Sequence, residues 1–218
     1  MTTPATTRLV IADDHPLFRA ALTQAVQHFA PEAEIAEAAT IARLYDLLDT
    51  APAPDLILLD LVMPDADGTS ALAHLTASLP GTPVVVVSAR DDAAIVRRAR
   101  ALGARGFLSK ATEVAGLEGA IAHVLAGGEH FSVPTPTHLH LDHDEAAAAS
   151  RVALLTPRQY RIALMVAAGK LNKQIAHELG IAEPTVKIHV SAMLRKLGIG
   201  NRTQIATLVT RLVNDAVA

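Results

Sequence analysis

Short apolar runs alternate with helix-length amphipathic segments over roughly the first 130 residues of this chain. The runs at 56–59 and 84–87 are wholly apolar, so strands formed from them would be buried on both faces. Such strands, separated by helices, are typical of a parallel sheet covered on both sides. We therefore predict a doubly wound α/β domain with five strands. The predicted strands are 8–12, 33–38, 56–59, 84–87 and 106–108, and the predicted helices are 17–29, 41–49, 69–78, 93–102 and 114–126.

The last 68 residues carry helical patterns. Thr156 supplies a capping hydroxyl, Pro157 suits the first helical position, and Gln159 completes a capping box. Gly169 and Gly180 end the first two helices. This pattern predicts a small all-α domain of four helices, with a helix-turn-helix around Gly180. The helices are predicted to start at Pro157, Asn172, Glu183 and Thr203 and to run to about Ala168, Leu179, Leu197 and Val213.

Charge divides the chain in the same way. Residues 1–150 contain 9 basic and 19 acidic side chains, whereas residues 151–218 contain 10 basic and 3 acidic ones. A basic block of this kind indicates that the second part binds a polyanion. The opposite signs also suggest that the first part docks on the second and masks it.

Composition excludes several classes of protein. Half of the residues are hydrophobic, which is too many for a disordered chain. The chain contains no cysteine, so disulfide scaffolds, thiolate zinc sites and cysteine nucleophiles are excluded. Its apolar runs are too short to span a bilayer, and the N-terminus does not resemble a secretory signal. We therefore expect a cytoplasmic protein that does not bind membranes.

Polar residues follow four of the predicted strands, and the carboxyl ends of parallel strands share one edge of the sheet. Asp13, Asp14, Asp60, Ser88 and Lys110 should therefore lie together. Clustered carboxylates stay ionised when a cation joins them, and hard oxygen ligands suit Mg²⁺. Asp60 can attack a phosphoryl group to form an acyl phosphate, which Lys110 and Ser88 would stabilise. Taken alone, Asp13 or Asp14 is equally well explained as a helix cap.

The acidic part resembles the receiver domain of bacterial two-component response regulators, which has a flavodoxin-like fold. The matching motifs stand in the family's order and cover about 120 residues. They are Asp13-Asp14-His15-Pro16, Asp60-Leu61-Val62-Met63-Pro64 with Asp67-Gly68, Ser88-Ala89, and Gly106-Phe107-Leu108-Ser109-Lys110.

The resemblance implies a role for each matched residue. Asp60 would be the phosphoacceptor, and Asp13, Asp14 and the backbone carbonyl of Val62 would join it in binding Mg²⁺. The phosphate-binding and switch residues would be Ser88, Ala89, Lys110 and Phe107.

Three positions leave alternatives open. Ala111 stands where many receivers have proline after the lysine, so that fixed turn is in doubt. Phe107 lacks a tyrosine hydroxyl and is also compatible with a plain core residue. Arg90 either reaches the phosphoryl group or is a surface arginine.

The basic part resembles the LuxR/FixJ, or NarL-type, DNA-binding domain. The matching stretch covers nearly all of residues 154–213, and it departs from the family at Gln159, where glutamate is usual. It comprises Leu155-Thr156-Pro157-Arg158, Val166-Ala167-Ala168-Gly169-Lys170, Asn172-Lys173-Gln174-Ile175-Ala176, Thr185-Val186-Lys187-Ile188-His189-Val190 and Leu194-Arg195-Lys196-Leu197.

Helical spacing separates a polar face of the third helix from its inward apolar stripe. The polar face would enter the major groove, with Lys187 on guanine and Ile188 on a thymine methyl. Arg158, Arg202 and Lys173 are better suited to phosphate. The predicted DNA-binding residues are Lys173, Thr185, Lys187, Ile188, Ser191 and Arg195, and the predicted dimerisation residues are Ile205, Leu208, Val209 and Leu212.

We therefore expect a response regulator transcription factor, not an enzyme apart from phosphotransfer to its own aspartate and slow autodephosphorylation. Its partners would be a sensor histidine kinase and double-stranded promoter DNA, bound as a homodimer. A magnesium-dependent phosphohydrolase and a regulator that acts as a constitutive dimer without phosphate are the alternatives. The predicted boundaries are 1–131 for the receiver, 132–150 for a flexible linker and 151–218 for the DNA-binding domain.

The predicted linker contains three histidines and two aspartates, which are residue types that bind metals, but we favour a solvated segment without a metal. They are His138, His140, His143, Asp142 and Asp144.

Overall fold

The computed structural model describes residues 7–63, 66–131 and 143–214, and the side chains of all of these except 66–67, 143–146 and 211–214. The strands are β1 Arg8–Ala12, β2 Glu34–Ala38, β3 Leu56–Asp60, β4 Val62–Met63, β5 Ala66–Asp67, β6 Val84–Ser88, β7 Gly106–Ser109 and β8 His130–Phe131. The helices are α1 Pro16–Phe29, α2 Ile41–Thr50, α3 Gly68–Ser78, α4 Ala93–Ala101, α5 Val114–Leu125, α6 His143–Val152, α7 Pro157–Ala167, α8 Asn172–Glu178, α9 Glu183–Leu197 and α10 Arg202–Asn214.

The strands of the main sheet are parallel and follow the order β2-β1-β3-β6-β7-β8. This confirms the predicted doubly wound α/β domain, with six strands where five were predicted. The additional strand, β8, pairs two residues with Gly106 and Phe107 of β7. A two-residue strand has no apolar run or alternation by which a sequence pattern could reveal it.

The sheet separates two apolar layers, because successive residues of a strand point to opposite faces. Leu9 and Ile11 of β1 pack in the layer of α1 and α5, which supply Leu22, Val26 and Ile121. Val10 and Ala12 belong to the other layer, which contains residues of α2, α3 and α4. Layers on both faces leave the carboxyl edge of the sheet as the open end of the domain.

The four predicted helices of the basic part correspond to α7, α8, α9 and α10. The capping box of α7 is formed: the Gln159 N–H donates to Thr156 Oγ1, and Gln159 Oε1 accepts from the Thr156 N–H, both at 3.2 Å. Gln159 Oε1 also accepts from Lys196 Nζ at 3.0 Å, so a neutral amide links α7 to α9. Gly180, with φ of 61°, provides the left-handed turn between α8 and α9.

Helix α6 replaces the irregular chain that was predicted for residues 143–150. Ala148 and Val152 are buried, and α6 packs against α3 and α10. The alanine run therefore forms a helix with one buried face, which is a correction to the predicted flexible linker. Residues 132–142 and the side chains of 143–146 lie outside the described residues. The alternative of a metal site therefore falls outside them as well, with its residues His138, His140, Asp142, His143 and Asp144.

The two parts of the chain share one hydrophobic cluster. Helix α2 packs on α7, and α3 packs on α6 and α10. Residues 68–75 of α3 are all buried. In the described parts of the chain, no helix is long and apolar enough to cross a membrane.

Candidate phosphoryl-acceptor site and DNA-binding surface

The acidic site lies where β1 and β3 end. Asp13 follows β1 and is 1% exposed, and Asp60 ends β3 and is 2% exposed. Oxygens of Asp13, Asp14 and Asp60 lie within 4.8 Å of one another and of a ring nitrogen of His15. The structure thus brings together the three carboxylates that the sequence pattern placed at this edge.

Lys110 bridges the two buried carboxylates. Its Nζ lies 2.7 Å from Asp13 Oδ2 and 2.7 Å from Asp60 Oδ2. Burial alone lowers the pKa of Lys110, but the two carboxylates outweigh burial and the net direction is upward. The ammonium therefore stays charged, and its side chain is 12% exposed.

Burial is the largest influence on Asp60 and raises its pKa. The hydrogen bond from Lys110 and the bond from the Val62 N–H to Asp60 Oδ1, at 2.9 Å, oppose that rise. The Asp13 carboxylate adds to it, because two nearby negative charges repel each other.

The donor set fits a hard divalent cation. Three carboxylates are opposed by the one ammonium that bridges Asp13 and Asp60, which leaves an excess of negative charge in a largely buried position. Carboxylate oxygens are the ligands that Mg²⁺ prefers. Asp13, Asp14 and Asp60 are therefore suited to holding such an ion. Val62 is 57% exposed, and its backbone N–H donates to Asp60.

The other predicted switch residues lie on the neighbouring strands. Ser88 ends β6, is 1% exposed, and accepts at Oγ from the Arg90 N–H at 3.2 Å. Ala89 is exposed. Phe107 is fully buried in β7 between Val86 and Phe131, so its ring is turned into the core. The Arg90 guanidinium lies 3.9 Å from Asp92, as a surface arginine would.

Ala111 makes a contact that proline could not. Its N–H donates to Ser109 Oγ at 3.3 Å. Proline has no N–H, so alanine at this position replaces a fixed turn with a hydrogen-bonded one.

Three further residues contribute to this site: His15 and Gly68, which stand in the matching motifs but were assigned no role, and Phe18, which was not predicted. His15 Nδ1 lies 2.7 Å from Asp14 Oδ1, and the backbone N–H of His15 donates to Asp13 Oδ1 at 2.7 Å. Lys110 Nζ lies 5.1 Å from the centroid of the Phe18 ring. A Cβ on Gly68 would lie 2.4 Å from Leu61 Cα, so glycine is needed where α3 begins beside the end of β3. His15 lies within the acidic motif and Phe18 lies two residues after it, on the first turn of α1, so their proximity to Asp13 and Asp14 in the sequence is the signal that could have identified them.

The predicted DNA-reading face of α9 points outward. Ile188 is 68% exposed, and Lys187, Ser191 and Arg195 are also exposed, while Thr185 is partly buried. Lys187 forms an ion pair with Glu183 one turn earlier, at 2.9 Å. The inward stripe is packed, with Val186, Met193 and Leu197 buried. The α/β domain therefore does not cover this face of α9.

The residues expected to contact phosphate differ in their surroundings. Lys173 is exposed on α8. Arg158 pairs with Asp49 of α2 at 3.3 Å. Arg202 donates to Asn172 Oδ1 at 2.7 Å and to the Lys170 carbonyl. Two of the three cations are thus occupied by partners within the chain.

The apolar stripe of α10 is covered within this chain. Ile205 is fully buried, Leu208 is 8% exposed and Val209 is 3% exposed. Helix α10 packs on α7, on α6 and on α3 of the α/β domain. The side chain of Leu212 lies outside the described residues.

Family models match both parts of the chain. The response regulator receiver domain matches residues 9–122, and the luxR family of bacterial regulatory proteins matches residues 153–209. The first match contains the acidic site and the second contains α7, α8 and α9.

Relatives match nearly the whole chain. The glycerol metabolism activator of Pseudomonas putida is 36% identical over 203 residues, which are 90% of this chain and 92% of that protein. The nitrate/nitrite response regulator protein NarL of Escherichia coli (strain K12) is 34% identical over 209 residues, which are 94% and 95% of the two chains. A solved signal receiver domain from Mycobacterium tuberculosis is 34% identical, covers 57% of this chain and 99% of its own, and has a TM-score of 0.51. This chain belongs to the two-component response regulators that join a receiver domain to a LuxR-type DNA-binding domain and regulate transcription.

Proposed function

We propose that Asp60 accepts a phosphoryl group from a sensor histidine kinase. The observation that carries this proposal is the pair of buried carboxylates, Asp13 and Asp60, held 2.7 Å from the same Lys110 Nζ. The donor is the phosphohistidine of the kinase. In the transfer, an Asp60 oxygen bonds to the phosphorus, the bond between phosphorus and the histidine nitrogen breaks, and that nitrogen keeps the electron pair.

Asp13, Asp14, Asp60 and the backbone carbonyl of Val62 would hold Mg²⁺ at this site. When bound, Mg²⁺ supplies positive charge that offsets the phosphoryl oxygens. Lys110 is placed to pair with the same oxygens, because its ammonium already lies at Asp60.

Phosphorylation would change the charge balance at the carboxyl edge. A phosphoryl group adds about −1.5 to −2 charges, which would draw Lys110 and the Ser88 hydroxyl toward it. Phe107, in the strand next to Ser88, would follow that movement, with Ala89 beside it. The receiver would thereby shift between two states.

Phosphate incorporation tests the acceptor. The protein incubated with Mg²⁺ and acetyl phosphate is expected to gain an acid-stable, base-labile phosphate, and Asp60→Asn is expected to gain none. Asp91→Asn, an exposed carboxylate next to α4, is the matched control and should label like the parent. Equal labelling of Asp60→Asn and the parent would contradict the assignment.

Turnover separates a regulator from a phosphohydrolase. A regulator retains its phosphate, so inorganic phosphate should be released slowly and in small amounts. Sustained release over many fast turnovers would instead favour an enzyme.

We further propose that α9 reads promoter DNA through Lys187, Ile188, Ser191, Arg195 and Thr185, with Lys173 on phosphate. The exposure of this face supports the proposal. Lys187→Ala should weaken binding to the cognate site by about 1–3 kcal/mol in a mobility-shift assay. Arg97→Ala, an exposed cation on α4 of the receiver, controls for general loss of positive charge. Unchanged affinity of Lys187→Ala would argue against α9 as the reading helix.

The remaining proposals concern assembly. We propose a receiver over 1–131, a DNA-binding domain over 151–218 and a cytoplasmic homodimer that uses Ile205, Leu208, Val209 and Leu212. Three of these residues are buried against the chain itself, so dimerisation through them requires α10 to separate from part of its present packing.

A further inference from the structure

Three aromatic rings from three helices meet between the receiver and the DNA-binding helices. The His74 ring of α3 stacks on the Tyr160 ring of α7, with centroids 4.1 Å apart and an interplanar angle of 9°. The Tyr45 ring of α2 lies 5.3 Å from His74 and 5.1 Å from Tyr160. We call these three residues the aromatic clasp, because they join the two domains.

Both ring nitrogens of His74 are hydrogen-bonded. Nε2 lies 2.9 Å from the carbonyl oxygen of Leu155, which can only accept, so Nε2 carries the proton. Nδ1 lies 2.9 Å from the Tyr45 hydroxyl, which therefore donates to it. This arrangement uses the neutral imidazole, and it links α3 to the segment just before α7.

The surroundings of the ring are neutral. His74 is fully buried, as is Tyr160, and Tyr45 is 1% exposed. Helix α3 contains no Asp, Glu, Lys or Arg. Burial raises the pKa of Tyr45 well above its usual range, so its phenol stays protonated.

Charged groups lie at the edge of the same interface and pair with each other. Asp46 of α2 forms an ion pair with Arg161 of α7, and Asp49 pairs with Arg158. His189 of α9 also faces this edge, and burial followed by the charge of Arg158 lowers its pKa. Burial is the largest influence on His74 and lowers its pKa to about 4, while the bond to the Leu155 carbonyl acts in the opposite direction.

We propose that the aromatic clasp is a proton-sensitive lock that holds the receiver against the DNA-binding domain while His74 is neutral. A second proton would add to Nδ1, where the Tyr45 hydroxyl now donates, and would place a cation among buried rings. Separation of the domains would let water solvate that cation. Acid therefore favours the open arrangement.

The direction of the pH dependence follows from linkage. The closed state holds the pKa of His74 near 4 and the open state returns it to about 6.5, so the open state binds more protons between these values. The closed arrangement keeps its full stability above about pH 6.5 and loses it progressively as the pH falls toward 4. A fall from about pH 7.5 to about pH 5.5 should increase the opening equilibrium about tenfold.

Opening would also uncover α10, which packs on α3 in the closed arrangement. That consequence for dimerisation rests on the proposed function of α10. The lock itself does not, because it concerns contacts within one chain.

Thiol reactivity measures opening directly, since the chain contains no cysteine. Ala148→Cys places one thiol in α6, at a position that is 3% exposed where α6 packs on α3 and α10. Its reaction rate with dithiodipyridine, divided by the rate of a short unstructured peptide at the same pH, reports the open fraction. We expect that ratio to rise about tenfold between about pH 7.5 and about pH 5.5.

Two variants identify the residue responsible. His74→Gln keeps a donor and an acceptor but does not titrate, so the tenfold response should fall below about twofold. His189→Gln removes the other histidine of this edge and should retain the response. A response that persists in His74→Gln, or that disappears in His189→Gln, would overturn the proposal.

Two further measurements separate opening from unfolding. Circular dichroism of the parent should not change over this pH range, and a parallel loss of helix would count against a lock. In the folded parent, the His74 ring protons should titrate in NMR with a midpoint near 4, and a midpoint near 6.5 in the closed chain would overturn the proposal. The NMR measurement uses the parent, so it applies even if His74→Gln does not fold. None of these measurements requires phosphorylation of Asp60 or binding of DNA.

Discussion

The acidic site and the aromatic clasp are both buried polar clusters, but they treat charge in opposite ways. Burial raises the pKa of Asp60 and lowers that of His74, so in each case it disfavours the charged form. Lys110 and the Val62 N–H oppose that effect at Asp60, whereas His74 is surrounded by neutral phenols and a carbonyl. A site that must hold charge keeps a counter-ion, while an interface that must close without water avoids charge.

The two clusters are joined by α3. This helix begins at Gly68, beside Leu61 and the end of β3, and carries His74 six residues later. A rise of 1.5 Å per residue places the two positions about 9 Å apart along the helix axis. A displacement of α3 at the acidic site would therefore be transmitted to the clasp through one rigid element.

The largest effect should come from a permanent charge in the clasp. His74→Arg would bury a cation next to Tyr45 and Tyr160 without a carboxylate partner at that point, which should cost about 4 kcal/mol of the closed arrangement. The thiol of Ala148→Cys should then react at close to the peptide rate at any pH. Arg97→Lys, on exposed α4, is the control and should leave protection intact. Full protection in His74→Arg would mean that the clasp tolerates charge, and the contrast with the acidic site would fail.

The next largest effect should come from removing the cation of the acidic site. Lys110→Met leaves Asp13 and Asp60 buried without their shared ammonium, which should lower the free energy of unfolding by about 3 kcal/mol in urea denaturation without metal. Mg²⁺ should restore more stability to this variant than to the parent, because Lys110 no longer occupies the carboxylates. Lys170→Met, which removes an exposed pair with Glu178, should change stability by less than about 1 kcal/mol. Equal losses in the two variants would show that burial does not matter here.

Sequence patterns predicted the acidic site well because its position follows from topology. Each of its residues comes at or just after the end of a parallel strand, and the apolar runs that mark those strands are unambiguous. The prediction of helices α7 to α10 succeeded for a similar local reason, since glycines and a capping box mark their ends.

The clasp was not predicted because nothing local marks it. Tyr45, His74 and Tyr160 are far apart in the chain, and each alone reads as an ordinary core or surface residue. The one available signal was α3, a helix without a charged residue, whose residues 68–75 are buried all round. β8 is too short to show a strand pattern. The alanine run of α6 was interpreted as part of a linker, although alanine is the strongest helix former.

Gly68→Ala tests the connection between the two regions and should have an intermediate effect. Its Cβ would lie 2.4 Å from Leu61 Cα and 2.7 Å from the Asp60 carbonyl oxygen, so the start of α3 must shift. We expect a loss of about 2 kcal/mol in unfolding free energy and a weaker clasp, measured by thiol reactivity. Gly81→Ala is the matched control, because nothing lies within 4 Å of its Cβ, and it should be neutral or slightly stabilising. If Gly68→Ala lowers stability but leaves thiol protection unchanged, α3 does not couple the two clusters.

The smallest effect should come from the charged edge of the clasp. Asp49→Asn removes the pair with Arg158, whose side chains are 28% and 34% exposed, so we expect a loss of about 0.5 kcal/mol at low salt and less at high salt. The closed arrangement depends mainly on apolar packing, and it leaves the proposed DNA-reading face of α9 uncovered. Raising the salt from about 0.05 M to about 0.5 M should therefore leave the radius of gyration of the unphosphorylated parent nearly unchanged in small-angle scattering. If the parent expands as the salt is raised, and if Asp49→Asn is already expanded at low salt, then attraction between an acidic receiver and a basic domain would instead account for the contact.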